Sequence, residues 1–411
     1  HRDELAGLFK GRQFGACCKS GTEIVALLAR LAWERGHCLL TGDVPSVFPG
    51  SSRKRLRAAV ARIIPSLLPA FDALCCRPNT IVSDSGTCTA YDGIMQGTCM
   101  GSIWFGILSL DMMQQADAAA NVVKMSRRNH DEDADLDTDL AAAIDAYFVM
   151  YCDDMTIASQ DIDEMLEYFI EFEEAMQDGL WGESCRMAKK DCALACATMT
   201  EATLRAAAER HGLAGRFSRF VGSDTPAASR GLTIVGIPVG EPEYVSEVVT
   251  NFVRANTLEK IERLSILANR RQIRHLLLKY CCVTTTTHLA RSVSPAMFAA
   301  HVASVQTAVD SELAFLADYQ EPVEGWGRER VGTLPTAATD QAALPVRMGG
   351  MGIKVMGLAD ARIAAMVAGV AAAVRLREGA TECGGLAGKD SKGYSWVADM
   401  ADEVLSFGGS H

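Results

Sequence analysis

The sequence predicts an α+β protein of short strands, hairpins and amphipathic helices. Three observations predict it. In Phe148 to Ile157, FVMYCDDMTI, two apolar strand-like halves flank Asp153 and Asp154, the pattern of a β-hairpin with acids at its tip. Short apolar runs elsewhere alternate with stretches of helical period, as at Ser20 to Arg35 and Ile162 to Leu180. From Val245 to Cys282 the period is helical throughout, which predicts a helical region after the sheet.

In chain order, SGTEIVALLARLAWER (20–35) reads as a helix with Ser20 or Thr22 as its cap. Cys38 to Phe48 starts as a short strand that reaches Asp43, and Pro45 and Pro49 forbid a regular central strand beyond it. Arg53 to Ile64 is helical with a basic side and ends at Pro65; a basic side is more often a solvated face than a phosphate contact. Thr80 to Tyr91 carries a hairpin signal around Ser85 and Gly86. In Gly93 to Gln114, Gly97 and Gly101 interrupt an apolar helix start, with Gln96 the long polar side chain there. Glycines at a helix start admit a ligand close to free N–H groups, but on this stretch alone they more often mark a turn before a buried helix.

The acidic stretch Asn121 to Leu140 reads as a mobile surface loop; it lacks the central Gly and terminal Glu of a calcium loop. Cys185 to Ala197 is a strand bearing Lys189 and Lys190, and Leu232 to Gly240 a strand broken by Gly236 and Pro238. Gln341 to Ile353 is a Gly-rich turn, followed by an Ala-rich helix over 358–376.

Composition narrows the class. The 411 residues are 49% apolar and 22% charged, an ordinary globular balance. No run reaches the roughly 18 apolar residues that span a bilayer, so no membrane partner is expected. Fourteen cysteines fall in doublets and apolar runs without the C-x-x-C spacing of a zinc site, which reads as reduced thiols of an intracellular protein, nuclear or cytoplasmic and not secreted. HRDELAGLFK has neither an initiator Met nor an apolar leader, and reads as the start of a fragment. A net charge of −11 argues mildly against a nucleic-acid partner, yet basic residues cluster at 53–62 and again at Arg254 to Lys279, enough to wall a groove.

Two adjacent carboxylates repel unless cations or donors favour their charge. Mg²⁺ takes oxygen ligands and is held by one or two carboxylates together with substrate phosphates, which an open hairpin tip can offer. A solvated Asp-Asp turn, for which Asp is a common residue, needs no metal.

The order of these signals resembles the reverse transcriptases, in particular those of non-LTR retrotransposons. The resemblance runs from Gln13-Phe14-Gly15 to Gly352. Asp43-Val-Pro-Ser-Val-Phe48 looks like the first palm motif, Gln96-Gly97 like the dipeptide before the second motif's helix, and Tyr151-Cys152-Asp153-Asp154 like Tyr-x-Asp-Asp. Lys189 or Lys190 looks like the fourth motif's lysine, Val235-Gly236 like the primer-gripping hairpin, and the stretch 344–352 like a Gly-rich segment beyond the thumb. The chain departs from the family at Met95, where Pro is usual, and at Thr98-Cys99-Met100.

The resemblance implies a right-hand polymerase: partial fingers (1–36), a palm with inserted finger elements (37–240), a helical thumb (241–335) and a C-terminal helical extension (336–411). Asp43, Asp153 and Asp154 are then the catalytic and metal-holding residues for two Mg²⁺ ions, with Mn²⁺ as a substitute. Phe48, Gln96, Gly97, Lys189 and Lys190 contact the incoming deoxynucleoside triphosphate, Phe48 leaving no room for a 2′-hydroxyl. Gly236 belongs to the primer grip, and Arg263, Arg270, Arg271, Arg274 and Lys279 hold the duplex of RNA template and DNA primer. The implied activity is RNA-directed DNA synthesis. The family's basic finger segment has no counterpart here, so the alternatives are an RNA-dependent RNA polymerase of the same fold, disfavoured by Phe48, and a remnant that only binds nucleic acid. The implied geometry demands that Asp43 and Asp153, distant in sequence, converge with Phe48 beside them.

Overall fold

Short apolar strands interleaved with amphipathic helices build the part of the chain up to Gly240, and helices alone build the described part beyond it; the two form separate units. The structure, a computed structural model, describes residues 2–317 and 336–353 apart from 10–11, 19, 45, 85, 96–97, 99, 129–146, 180–191, 268–269, 345–347 and 349. The protein is mixed α and β, as the sequence predicts.

The first unit opens with α1 (Arg2–Phe9), α2 (Gly21–Glu34), β1 (Cys38–Asp43), α3 (Val47–Gly50), α4 (Arg53–Ile63) and α5 (Leu68–Cys75). A hairpin of β2 (Asn79–Ser83) and β3 (Gly86–Ala90) precedes the long α6 (Gly101–Arg128). Next come β4 (Tyr147–Tyr151), β5 (Asp154–Ser159), α7 (Ile162–Gly179), β6 (Ala193–Cys196), α8 (Glu201–Arg210), β7 (Arg219–Val221), β8 (Gly231–Ile234) and β9 (Ile237–Gly240).

Five strands form one sheet in the order β4-β5-β1-β6-β7, antiparallel except for the parallel pair β6 and β7. Because side chains alternate along a strand, the apolar run of β1 supplies both faces. Leu40, with Met155, Ile157 and Leu194, joins a core closed by Trp104 and Phe105 of α6 and Phe169 and Phe172 of α7. Each of these large side chains, fully withdrawn from water, contributes about 1.5–3 kcal/mol. Leu39, Val149, Ala158 and Ala195 are buried on the opposite face, where α2 packs on β1, β4 and β5 and touches β8 and β9 as well. Covered on both sides, α2 is apolar nearly all round, which is why VALLARLAW lacks a wide polar stripe.

Local chemistry differs from the sequence reading at four places. Ser20 is left-handed (φ 57°) and makes no side-chain cap. The stretch 121–128, read as part of a loop, continues α6 because the apolar period carries the helix through to Arg128. Leu232 to Gly240 breaks at Val235 and Gly236 into two paired strands, but Pro238, read as a second break, lies inside the second strand. The long helical run from Val245 is broken by wide turns over Arg254–Leu258 and Leu278–Cys282 and a tight one over Leu264–Leu267. A wide turn frees backbone carbonyls, and the Thr285 hydroxyl reaches back to the Asn256 carbonyl at 3.2 Å. The predicted helix over 358–376 lies outside the described residues.

The second unit contains α9 (Pro242–Val253), α10 (Glu259–Arg263), α11 (Arg271–Leu277), α12 (Thr287–Ser292), α13 (Pro295–Ala317) and α14 (Thr336–Ala343). Val249, Val253, Leu278, Leu289, Phe298 and Val309 make its core. Among the described residues no helix is long and apolar enough to cross a membrane, and the described cysteines carry free thiols.

The β8–β9 hairpin stores a strain that can be relieved. Ile234 pairs with Ile237 across a two-residue loop in which both Val235 (φ 47°) and Gly236 (φ 80°) are left-handed. Such loops favour Asn-Gly, and a β-branched residue there is an outlier costing about 1–3 kcal/mol. Val235→Asn should therefore raise the unfolding free energy by about 1 kcal/mol, read as a later urea midpoint by circular dichroism; an unchanged or earlier midpoint would show that the turn is not strained.

Candidate active site

The candidate site lies where β1 ends. Its last residue, Asp43, is the direct register partner of Asp154, the first residue of β5, and the Val44 N–H donates to the Asp153 carbonyl at 3.1 Å. Directly opposed residues of an antiparallel pair have Cα atoms about 4.5–5.5 Å apart and side chains on one face. Two carboxylates separated by more than a hundred residues thus face each other across one rung, with Asp153 joined to the same strand end through its backbone. All three acids are half-buried.

Like charges directly opposed on a sheet are destabilising unless a cation lies between them or nearby donors compensate them. The charge is felt locally: burial first, then Asp153 and Asp154, push the Cys152 thiol up to about 11. The donor set is carboxylate oxygen, the preference of hard ions such as Mg²⁺ and Mn²⁺. Among the described residues no group of three or more His, Cys, Asp or Glu side chains is placed to hold a metal ion, Asp43, Asp153 and Asp154 included. A Mg²⁺ site shared with substrate phosphates needs only one or two carboxylates from the protein, and the acids here suit that open type.

The turn that carries Asp153 is held from outside the hairpin. Tyr151 pairs with Asp154, leaving Cys152 and Asp153 as a two-residue loop with Cys152 left-handed at φ 53°. Alongside β4 runs the segment 12–15: Met150 N–H donates to the Arg12 carbonyl and Phe14 N–H to the Met150 carbonyl, each at 2.8 Å. From it the buried Gln13 side chain binds both backbone groups of Cys152, accepting from its N–H at 2.9 Å and donating to its carbonyl at 3.2 Å. Gly15 lies so close that a Cβ there would be 2.3 Å from the Cys152 nitrogen. The sequence singled out Gln13-Phe14-Gly15 only as the start of a resemblance, and no local pattern marks Gln13 as buried, because its partners at Cys152 and Ser109 lie far along the chain.

Phe48 stands five residues after Asp43, on α3. Its carbonyl accepts from Ile94 N–H at 2.6 Å, its ring centroid is 6.1 Å from that of Phe105, and the Cβ position of Gly101, where α6 begins, is 3.5 Å from the ring. The half-buried ring is therefore fixed between the end of β1 and the start of α6. Gln96, Gly97, Lys189 and Lys190 lie outside the described residues. Gly236 sits in the β8–β9 turn.

Many of the arginines are committed within the protein. On α4, Arg55 and Arg62 converge on the buried Asp111, Arg57 pairs with Asp72, and Arg53 donates to the carbonyls of Gly93 and Arg77. The basic side of α4 is thus a solvated face, as its sequence suggests, with Lys54, Arg57 and Arg62 exposed, but most of its arginines also tie helices and loops together through ion pairs and hydrogen bonds. In the second unit Arg274 is a correction to the sequence reading. It is 5% exposed, forms a bidentate pair with Glu312 and stacks on Phe315 at 3.7 Å, so it cannot reach a nucleic acid. Lys279 is half-buried against Tyr280 and the Met351 carbonyl. Arg263, Arg270 and Arg271 are exposed.

No protein-family model matches the chain, and no curated protein is significantly similar to it.

Arg274→Ala would strand Glu312 as an uncompensated buried charge and should cost about 3–5 kcal/mol of the second unit's stability. Joint replacement of the exposed Arg270 and Arg271 by Ala should shift stability by no more than about 1 kcal/mol. Urea unfolding of the two variants checks the contrast, and equal, small losses would return Arg274 to the surface set.

Proposed function

We propose that this chain is a template-directed nucleotidyltransferase, an RNA-directed DNA polymerase of the non-LTR retrotransposon type, which extends a DNA primer on an RNA template with deoxynucleoside triphosphates. One observation carries the reading: Asp43 and the Asp153–Asp154 pair, remote in sequence, meet at one strand end. Motifs in the right order on unrelated parts of a surface would not perform this chemistry. The motif order of the sequence and the aromatic residue five positions beyond Asp43 support the same reading.

In this reading Asp43 and Asp153 would hold the divalent ions, and Asp154, across the rung from Asp43, would add to the negative charge that keeps them. When bound, two Mg²⁺ supply a lowered pKa for the primer 3′-hydroxyl and stabilisation of the leaving pyrophosphate. The protein's own part is to bring the acids to one place before substrate arrives, so that little reorganisation is left for the reaction. Phe48, held by Phe105, would pack under the sugar and refuse a 2′-hydroxyl by bulk. Arg263, Arg270 and Arg271 would bind the duplex backbone without reading its sequence.

Primer extension on an RNA template with MgCl₂ tests the assignment. Asp153→Asn should lower the rate by at least about a thousandfold, since several kcal/mol of charge stabilisation is lost; a variant that still extends at the parent rate would defeat the site. Phe48→Ala should relax discrimination against ribonucleotides by roughly ten- to a hundredfold in the ratio of kcat/KM values, and an unchanged ratio would reduce Phe48 to a core aromatic.

A further inference from the structure

Gln13 has every hydrogen-bonding position of its carboxamide in use. The side-chain oxygen accepts from the N–H groups of Cys152 and Gly15, each at 2.9 Å. The nitrogen donates to the Cys152 carbonyl at 3.2 Å and to the Ser109 hydroxyl at 3.0 Å, and that hydroxyl donates in turn to the Gly106 carbonyl inside α6. Two backbone N–H groups aimed at one atom fix which end of the amide is oxygen. The residue is 1% exposed, so each bond is made where a lost partner is costly. Cys152 is left-handed and immediately precedes Asp153; its backbone orientation sets the direction in which the acidic pair leaves the turn.

We propose that Gln13 is a positioning residue for the Asp153–Asp154 pair, with its carboxamide locking the left-handed Cys152 turn to the long helix through Ser109. This rests on the polymerase reading for its consequence in catalysis, but the lock itself is independent of it. Gln13 touches neither substrate nor metal in this role. It acts by holding the turn at the angle that keeps Asp153 bonded to the end of β1.

The test uses the full chain and two readouts. In the first, Cys152 is alkylated with iodoacetamide and its rate followed by peptide mass spectrometry, with the buried Cys38 and Cys282 as internal references. Gln13→Ala should speed alkylation of Cys152 about tenfold, through more frequent opening of the turn. Ser109→Ala, which removes only the anchor, should speed it about threefold and serves if Gln13→Ala does not fold. In the second, primer extension by Gln13→Ala should show kcat reduced about 10- to 100-fold, the usual effect of removing a supporting shell, with the KM for primer–template within about twofold of the parent. Unchanged Cys152 reactivity in both variants, or a raised KM with kcat intact, overturns the proposal. If the parent chain extends no primer, the polymerase reading fails alone, and the alkylation rates still decide whether Gln13 locks the turn.

Discussion

The register between β1 and β5 is the constraint on which the rest of the structure depends. Six consecutive pairs, from Cys38 with Ser159 to Asp43 with Asp154, fix which residues of each strand face the helices α6 and α7. A slip of one residue would turn Leu40, Met155 and Ile157 out of that core and take Asp43 off the rung it shares with Asp154. Packing and the acidic site are therefore specified together: the apolar side chains that select the register also decide where the carboxylates meet.

Such a site carries an electrostatic cost that the scaffold has to bear. Opposed acids and a left-handed residue at the tip are each unfavourable alone. The surrounding contacts offset them. The segment 12–15 runs beside β4, Gly15 allows its backbone to come against Cys152, and Gln13 saturates the turn with hydrogen bonds. Strain concentrated at a rigidly held turn is the form that pre-organised binding sites take.

Charge elsewhere in the chain serves architecture more than its clustering in the sequence implies. Asp111 draws Arg55 and Arg62 across the interface of α4 and α6, and Glu312 draws Arg274 into the second unit. A buried carboxylate needs donors, and a guanidinium supplies several in a fixed plane, so arginines that read as a basic stripe are consumed by acids the linear pattern does not associate with them.

The amino-acid sequence by itself determined the elements and their kinds: the hairpin around Cys152 and Asp153, the basic helix from Arg53, the acidic helix from Ile162 and the helical run after Gly240 all arise from apolar period and turn chemistry. It also marked Asp43, Asp153 and Asp154 as carboxylates with a reason to be together. Only the tertiary structure decided that they are together, that Arg274 points inward and that Gln13 governs the turn. Periodicity reports which face of an element is buried, a property of neighbours a few positions apart, whereas a rung between residues 43 and 154 or an amide reaching from 13 to 152 depends on long-range contacts that no local pattern encodes.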